Sequence, residues 1–417
     1  MKKSAAAYTL GCKVNQCDTE NLLTNLRNIG LGIRDFNETA DVYIINTCTV
    51  THVSDKKCRQ MIRKAKKQNP KALIAVCGCM VRNKNAAMPK DIDFIFDARK
   101  PDNFLEFLIK NLSTDLSTDL SINENNYTLS KTRAFIKIQD GCNNFCSYCI
   151  VPYVRGALNS RPIMDIVTEG QNAVQNGALE IVLTGIQAAS YGDDIETSLS
   201  LLIQNTATIN GLKRLRLSSI DPRAVNGEFL KTVKNTKILC DHFHLSLQSG
   251  CNKILEQMNR RYTTEIYQKA VNSLRKLRPN CAITTDIIVG FPGETDSDFN
   301  ETLEFVKKIA FAQVHVFEFS PREGTAAADF VPRVSQAIKS ERGAVMRKLA
   351  AQLQTKFLES QIGKKSEVLF ESNSKGYTTN YCRVKSKTSN TLKCVEIIGL
   401  KETYLLCKEE IFQKPKS

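Results

Sequence analysis

Gly141-Cys142-Asn143-Asn144-Phe145-Cys146-Ser147-Tyr148-Cys149 places three thiols in C-x3-C-x2-C spacing on one short stretch of chain. The residues just before it, Arg133 to Gln139, alternate between apolar and polar side chains and predict a β-strand that leads into a loop. Three thiolates at this spacing can hold three irons of a 4Fe–4S cluster, which usually takes four cysteines. The remaining iron would then stay open to an outside molecule, as a catalytic zinc ion keeps an open position.

The same loop has an alternative interpretation as half of a zinc site. Zinc-binding cysteines usually form close pairs, with a second pair some distance away along the chain. No C-x2-C pair follows Cys149 in this sequence. The spacing therefore favours an iron–sulfur cluster over zinc.

The composition indicates several domains and a polyanionic partner. The 417 residues suggest two or three domains, and a hydrophobic fraction of 42% is enough for ordinary cores. The formal charge of +15 suggests a partner that carries many negative charges. Four histidines and no tryptophan leave little room for histidine-based acid–base or metal chemistry.

The fifteen cysteines do not resemble a disulfide framework, because such frameworks belong to short secreted chains. The apolar run near the N-terminus is shorter than the ~7–15 residues of a secretory segment. No stretch approaches the ~18 apolar residues of a transmembrane helix. We therefore expect a cytoplasmic protein without a membrane partner, whose thiols stay reduced for metal.

The first hundred residues alternate between strand-like and helix-like segments, which predicts an open parallel sheet with helices on both faces. Cys12, Cys48 and Cys79, called the N-terminal thiols, each follow a predicted strand, where functional groups of such sheets gather. If they converge, they form a second three-thiol cluster site. The alternative is three buried cysteines that pack as small hydrophobic side chains. The other cysteines of this stretch lack the placement of the N-terminal thiols and are predicted to be structural: Cys17, Cys58 and Cys77. Of these, Cys77 is the closest competitor of Cys79 for the role of ligand.

A polar linker is predicted over 112–130, where a short repeat has little apolar content. From Thr132 to about Lys356, six strand signals alternate with helical stretches, and nearly every strand ends in a polar or glycine-rich turn. Parallel repeats of this kind predict a barrel with its site at the carboxyl ends of the strands. Six repeats rather than eight predict a partial (β/α)6 barrel, open enough for a macromolecular substrate. The predicted strands are Ala134–Gln139, Glu180–Thr184, Arg214–Ser218, His242–Leu247, Ile283–Val289 and Gln313–Phe319.

Residues 357–417 predict a small antiparallel β-barrel, because short strands are joined by Ser, Asn, Gly and Lys turns. Its lysines, with Tyr377 and Tyr381 among them, suit a nucleic-acid backbone and its bases. Solvated lysines are the alternative. The predicted α/β chain thus has a sheet domain at 1–111, a linker at 112–130, a barrel at 131–356 and a small barrel at 357–417.

From Tyr8 to about Cys407, with both cysteine sets in these positions, the chain resembles the radical S-adenosylmethionine (SAM) methylthiotransferases. The resemblance implies two 4Fe–4S clusters and SAM as cofactors, and a C-terminal TRAM domain that holds RNA. The N-terminal thiols would hold an auxiliary cluster, and Cys142, Cys146 and Cys149, called the loop thiols, would hold the SAM cluster. No catalytic side chain beyond these ligands is implied. In this family Tyr148 would lie against the adenine of SAM, and strand-end residues would line its pocket: Thr184, Gly185, Ser218, Ser219, Gln248, Ile288 and Gly290.

Within the family, Gly-Cys-Lys-Val-Asn at 11–15 and Asn-Thr-Cys-Thr-Val-Thr at 46–51 resemble the branch that modifies N6-threonylcarbamoyladenosine beside the anticodon of tRNA. The isopentenyl-adenosine branch usually has Gln-Met after the first cysteine, and the ribosomal-protein branch usually has Pro-Lys. The chain departs from the family after the cysteine loop. There it has Arg-Gly-Ala-Leu-Asn-Ser-Arg-Pro at 155–162, where relatives commonly have two more arginines.

The resemblance implies that basic residues hold the anticodon arm of a tRNA. One candidate set lies on the predicted helix Ser54–Gln68, one flanks the departure described above, and one lies in the small barrel; a solvated basic face is the alternative. These residues are Arg59, Arg63, Lys66, Arg155, Arg161, Lys385 and Lys387. A reductant protein such as a flavodoxin or ferredoxin is the other expected partner of a monomeric enzyme.

Two other functions remain open on the sequence. One is the same chemistry on isopentenyl-adenosine in tRNA or on a ribosomal protein. The other is a non-enzymatic, metal-bearing RNA-binding protein, in which zinc would replace iron and acid-labile sulfide.

Overall fold

The computed structural model describes residues 3–83, 86–112, 132–371, 375–386 and 388–409. Contacts divide the chain into two compact units. The first unit contains the described residues of Met1–Thr128, Asp140–Asn159 and Ser320–Ala328, and the second unit contains the others. The predicted linker falls outside the described residues from 113 onward. The predicted domain boundaries, which follow the order of the chain, stay a prediction.

The first unit is built on a five-stranded sheet in the order β2-β1-β3-β4-β5, with every pair parallel. Apolar side chains on both faces of this sheet form two cores, one with Leu22 and Phe104 and the other with Ile62. The predicted open α/β sheet is therefore confirmed. Its elements are β1 (Ser4–Thr9), α1 (Lys13–Asn28), β2 (Gly32–Arg34), β3 (Val42–Thr47), α2 (His52–Gln68), β4 (Leu73–Gly78), α3 (Cys79–Arg82), β5 (Phe94–Ile95) and α4 (Asp102–Leu112).

Two helices of this unit begin earlier than the sequence predicts. The first helix starts at Lys13 rather than Asp18, so Cys12 is its N-cap residue. Helix α2 starts at His52, because the hydroxyl of Thr51 accepts a hydrogen bond from the backbone N–H of Ser54. As a result, α1 begins directly after Cys12, and α2 begins four residues after Cys48.

The second unit contains six parallel strands in chain order. Strands β6, β8 and β9 form one parallel run, and β10, β11 and β12 form another. Parallel bridges from Leu215 to Leu239 and from Ile220 to Leu245 join the two runs, and the predicted partial barrel is confirmed. The elements of this stretch, of which α5 belongs to the first unit, are β6 (Arg133–Asp140), α5 (Val151–Arg155), β7 (Asn159–Ser160), α6 (Ile163–Gln175), β8 (Glu180–Gly185), α7 (Leu199–Ala207), β9 (Arg214–Leu217), α8 (Gly227–Asn235), β10 (His242–His244), α9 (Asn252–Gln257), α10 (Thr264–Leu277), β11 (Ala282–Val289), α11 (Asp296–Ile309) and β12 (Gln313–Glu318).

A long helix leads from these strands into a closed five-stranded barrel in the order β13-β14-β15-β17-β16. Its core includes Val368, Phe370, Val384 and Ile397. The predicted small antiparallel barrel is confirmed, with one exception: β15 and β17 pair in parallel. An odd number of strands cannot alternate in direction all the way around a closed ring, so one parallel pair is required. The elements are α12 (Gln336–Glu359), β13 (Lys365–Phe370), β14 (Lys375–Thr378), β15 (Arg383–Lys385), β16 (Thr391–Lys401) and β17 (Tyr404–Glu409).

A buried ion cluster ties the small barrel to the partial barrel inside the second unit. The carboxylate of Glu180 lies 2.8 Å from the Nε atoms of both Arg214 and Arg216, and 2.9 Å from Nε of Arg133. The two β9 arginines also donate to backbone carbonyls at 377–379 of the small barrel. Burial alone would raise the pKa of Glu180, but the three arginines lower it to about 2. This carboxylate therefore stays charged in the folded protein at neutral pH.

None of the described helices is long and apolar enough to cross a lipid bilayer.

Candidate functional site

The N-terminal thiols lie at one edge of the first unit's sheet. Cys12 precedes α1, Cys48 follows the end of β3, and Cys79 is the first residue of α3, directly after β4. All three positions are at the carboxyl ends of strands, near the place where the strand order reverses between β1 and β3. In open α/β sheets this is where functional groups collect.

Cys12 and Cys48 are adjacent at this edge. A Cβ atom added at Gly11, whose φ is +96°, would lie 2.9 Å from Cβ and 3.0 Å from Sγ of Cys48. The backbone beside Cys12 therefore runs directly against Cys48. Burial, together with the charges of Cys79 and Cys12, raises the pKa of the Cys48 thiol to about 11. A cationic metal core requires thiolates and would offset this opposition to ionisation at Cys48.

The other cysteines of this sheet occupy different environments. Cys77 lies in β4 and is fully buried in an apolar core, so it does not share the position of Cys79. The sulfur of Cys58 lies 3.4 Å from the backbone nitrogen of Cys48 and packs behind that residue. Burial raises the pKa of Cys58 to about 12.

Arg155, which the sequence suggested as an RNA contact, is buried with only 4% of its surface exposed. Its Nε donates to Sγ of Cys79 at 3.4 Å, and its Nη1 donates to both carboxylate oxygens of Asp140 at 2.8 and 2.9 Å. Its Nη2 donates to the side-chain oxygen of Asn15. Polar groups of the first unit thus enclose the guanidinium of Arg155, and this burial counts against the predicted contact with RNA.

The cysteine loop is compact and also belongs to the first unit. The backbone N–H of Cys142 donates to the carbonyl of Gly156 at 3.1 Å, and that of Cys149 donates to the carbonyl of Cys146 at 2.9 Å. Gly141 has a φ of +69°, and a Cβ atom there would lie 1.8 Å from the carbonyl oxygen of Ala157. Only glycine fits this position, so the backbone forces the chain to turn just before the first thiol.

One sulfur of this loop, that of Cys142, accepts a backbone hydrogen bond. The backbone N–H of Asn144 donates to Sγ of Cys142 at 3.4 Å. Cys146 is buried, whereas Cys142, Tyr148 and Cys149 are half-buried. Amide donors to sulfur are typical of cysteines that carry negative charge in a cluster.

The donor sets fit a cluster better than a single ion. Within the described parts of the chain, the one group of three or more His, Cys, Asp or Glu ligand atoms within 4.8 Å of one another contains no cysteine. Neither cysteine set is therefore drawn together tightly enough to surround one zinc ion, whose bonds to sulfur are about 2.3 Å long. A 4Fe–4S cluster instead spreads its thiolates over several irons.

The residues predicted to bind SAM lie at strand ends of the second unit. The backbone N–H of Gly185 donates to the hydroxyl of Ser218 at 3.3 Å, which joins the ends of β8 and β9. Gln248 has a φ of +71° and exchanges backbone hydrogen bonds with Asp286 and Ile288 of β11. The contacts of these residues with SAM, and those of Thr184, Ser219 and Gly290, stay a prediction.

The group of metal-ligand type that contains no cysteine consists of His244, Asp286 and His315. The small number of histidines in the sequence had not suggested such a group. Nε2 of His244 lies 3.2 Å from Oδ2 of Asp286, and its Nδ1 lies 3.0 Å from the hydroxyl of Thr284, which also contacts His242. Burial raises the pKa of Asp286, but its hydrogen bond to His244 and the nearby charges lower it overall. Alternation assigns each of these residues to one face of its own strand, but their meeting depends on the register between neighbouring strands.

The basic residues predicted to contact RNA differ in their exposure and in their contacts with other protein groups. Arg63 and Lys385 are exposed. Arg161 donates to Glu169 at 2.6 Å, and Lys66 lies 4.0 Å from Asp93. Arg59 donates to the carbonyl of residue 87 at 3.4 Å, and Lys387 lies outside the described residues.

A second buried arginine was not foreseen from the sequence. Arg322 donates to Asp55 at 2.7 Å and to the hydroxyl of Thr49 at 2.8 Å, next to Cys48 in the chain. The backbone N–H of Ala327 in the same segment donates to the carbonyl of Ser147 in the cysteine loop at 2.7 Å. The segment 320–328 thus forms hydrogen bonds both to the start of α2 and to the loop that carries the loop thiols.

Comparisons with known proteins agree with this arrangement. Residues 136–306 match the model of the Radical SAM superfamily, and residues 4–97 match the uncharacterized protein family UPF0004. The threonylcarbamoyladenosine tRNA methylthiotransferase MtaB of Bacillus subtilis is 36% identical, over 96% of this chain and 94% of its own. The protein of the same name from Aquifex aeolicus is also 36% identical, over 91% and 96%. The tRNA-2-methylthio-N6-dimethylallyladenosine synthase of Clostridium tetani is 35% identical, over 94% and 90%.

Solved structures show the same fold at low identity. The radical SAM methyltransferase TsrM of Kitasatospora setae, with cobalamin and a [4Fe–4S] cluster bound, has a TM-score of 0.56 at 13% identity, over 79% of this chain and 77% of its own. This likeness concerns the fold alone. Relatives named as methylthiotransferases are more than one third identical to this chain over almost its whole length, and each set of three cysteines follows strand ends. The chain therefore belongs to the radical SAM methylthiotransferase family.

Proposed function

We propose that this protein is a tRNA-modifying enzyme that adds a methylthio group to carbon 2 of N6-threonylcarbamoyladenosine, beside the anticodon. The observation that carries the proposal is the convergence of the N-terminal thiols at the carboxyl edge of one sheet, in a chain that has a second set of three. The motifs around Cys12 and Cys48, and relatives named for this nucleoside, support the choice of substrate.

In this proposal the N-terminal thiols hold an auxiliary 4Fe–4S cluster, and the loop thiols hold the cluster that binds SAM. When bound, the clusters and SAM supply the electron transfer, radical and sulfur-transfer chemistry that no side chain can perform. The chain's own residues hold and space these groups. Gly141 fixes the turn into the cysteine loop. The buried Arg155 contacts Cys79, and the buried Arg322 contacts Asp55 of α2.

The closed barrel of β13–β17 is proposed to act as an RNA-binding TRAM domain. Its exposed Lys385, and Arg63 on α2, are the basic residues best placed to meet phosphates. A flavodoxin or ferredoxin is proposed as the reductant, with the enzyme acting as a monomer. A reducing compartment such as the cytosol suits fifteen free thiols.

Binding of tRNA is expected to weaken steeply with salt, because each neutralised phosphate releases counterions. Arg63→Gln and Lys385→Gln should each lower the slope of log affinity against log salt concentration by about one. Arg99→Gln is the matched control, because the guanidinium of Arg99 is already held by Asp97 at 2.7 Å. Filter binding of an unmodified tRNA transcript at several salt concentrations measures this. Salt-insensitive binding, or equal slopes in all variants, would count against these two contacts.

The substrate itself is tested by mass spectrometry of tRNA nucleosides from a strain that lacks the gene. We expect 2-methylthio-N6-threonylcarbamoyladenosine to disappear and its unthiolated precursor to accumulate, with re-expression of the gene as the control. Loss of the methylthio derivative of isopentenyl-adenosine instead would move the chain to the other tRNA branch. Unchanged tRNA nucleosides would favour a ribosomal protein or a non-enzymatic role.

A further inference from the structure

Arg155 connects the two cysteine sets of the first unit. It is the last residue of α5, the short helix that follows the loop thiols, and its side chain is 1% exposed. Its Nε donates to Sγ of Cys79, a residue 76 positions earlier in the chain, at 3.4 Å. A charged donor on a thiol that is proposed to bind a cluster has a defined chemical effect.

The orientation of this guanidinium is fixed by its other partners. Nη1 binds both oxygens of Asp140, and Nη2 binds Asn15 and lies 3.6 Å from Asp18. Asn15 is itself held, because its amide donates to the carbonyls of Leu10 and Thr47 at 2.7 and 2.9 Å. With both terminal nitrogens engaged, the remaining Nε–H points at the sulfur of Cys79.

A positive donor to a ligand sulfur favours the more negative state of a cluster. Hydrogen bonds to sulfur and the local net charge set the reduction potentials of 4Fe–4S clusters, and partners of metal ligands tune the metal itself. The carboxylates of Asp140 and Asp18 offset the charge of Arg155 at longer range. These two carboxylates do not offset the hydrogen bond that Arg155 donates to the sulfur of Cys79.

We propose that Arg155 is a positioning residue that raises the reduction potential of the cluster held by the N-terminal thiols, through its hydrogen bond to Cys79. This inference rests on the proposed function only in requiring that cluster. One electron passes from the reductant protein, which is oxidised by one electron, into the cluster, while no bond breaks and Arg155 keeps its proton.

The test uses the full chain with Cys142, Cys146 and Cys149 all replaced by alanine, so that the spectra report the other cluster alone. In this background we compare Arg155→Lys, which keeps the charge but cannot serve all these partners, with Arg161→Lys, the second arginine of the same motif. Potentiometric titration followed by electron paramagnetic resonance should show an approximately tenfold lower ratio of reduced to oxidised cluster for Arg155→Lys at any set potential, equal to 59 mV for one electron. The Fe–S stretching bands in the resonance Raman spectrum should shift in this variant, and Arg161→Lys should match the parent in both measurements.

Equal potentials and Raman bands in Arg155→Lys and the parent, with equal iron, would overturn the inference. If Arg155→Lys does not retain iron, Asp140→Asn decides the question. A more positive potential supports the inference, because less of the arginine's charge is then offset, and an equal or more negative potential overturns it. A parent that binds no iron would instead contradict the proposed function, which keeps the two failures distinct.

Discussion

Replacing Cys12, Cys48 and Cys79 together by alanine is expected to abolish methylthio transfer to tRNA while SAM is still cleaved. Loss of even an outer partner of a metal ligand typically costs 10- to 100-fold, so loss of all three ligands should lower product formation by more than about 100-fold. The loop thiols lie on a separate stretch of chain, so the reductive cleavage of SAM should persist. Chromatography of 5′-deoxyadenosine and of digested tRNA measures both reactions in one assay.

Controls separate ligand loss from general damage. Cys17→Ala changes a buried cysteine of the same unit, and Cys394→Ala changes an exposed one in the small barrel; both should retain methylthio transfer. Alanine at all three loop thiols should remove both reactions. If the N-terminal triple variant still forms the methylthio product, these residues do not hold the group that supplies sulfur.

Glu180→Gln is expected to destabilise the protein by about 3–5 kcal/mol, because it leaves three buried arginines without their carboxylate. Glu180 is fully buried, and Arg133, Arg214 and Arg216 all lie within 2.9 Å of it. Two of these arginines also hold backbone carbonyls at 377–379, so the small barrel should loosen as well. Urea unfolding of the cluster-free protein measures the change in free energy. Glu304→Gln, at a side chain with 70% exposure, is the control and should stay within about 0.5 kcal/mol.

The stabilisation by Glu180 should also depend on pH in a defined direction. Its pKa falls from 4.5 to about 2 on folding, so its contribution is complete above about pH 4.5 and is lost as the pH falls toward 2. The difference in unfolding free energy between the native protein and Glu180→Gln should therefore shrink over that window. A difference that is constant from neutral pH to about pH 2 would show that the carboxylate is not the stabilising group.

Local patterns in the sequence predicted the strands and helices that carry the proposed cluster ligands. Each N-terminal thiol follows a segment whose residues predict a strand, and parallel strands bring their carboxyl ends to one edge. In the structure, Cys77 lies two residues before Cys79 and inside the core, and the choice of Cys79 as a ligand stays a prediction. The partial barrel followed from the six repeats, and the family assignment is confirmed by the comparisons.

What the sequence could not predict depends on contacts between distant residues. Arg155 belongs to a basic motif and carries no local sign of burial, since Asn15, Asp18 and Asp140 enclose it only after folding. The histidine group formed by His244, Asp286 and His315 depends on strand register, which no single segment contains. The parallel pair β15–β17 follows from closure of a ring of five strands, which no single segment of the sequence reveals.

The central claim is that the chain binds two iron–sulfur clusters, each through three thiols. Iron and acid-labile sulfide, counted per chain after anaerobic reconstitution, test it most directly. The native protein should contain about eight irons and about eight sulfides, and replacement of Cys12, Cys48 and Cys79 by alanine should leave about four of each. Zinc in place of iron, or a triple variant that keeps the full iron content of the native protein, would contradict the account.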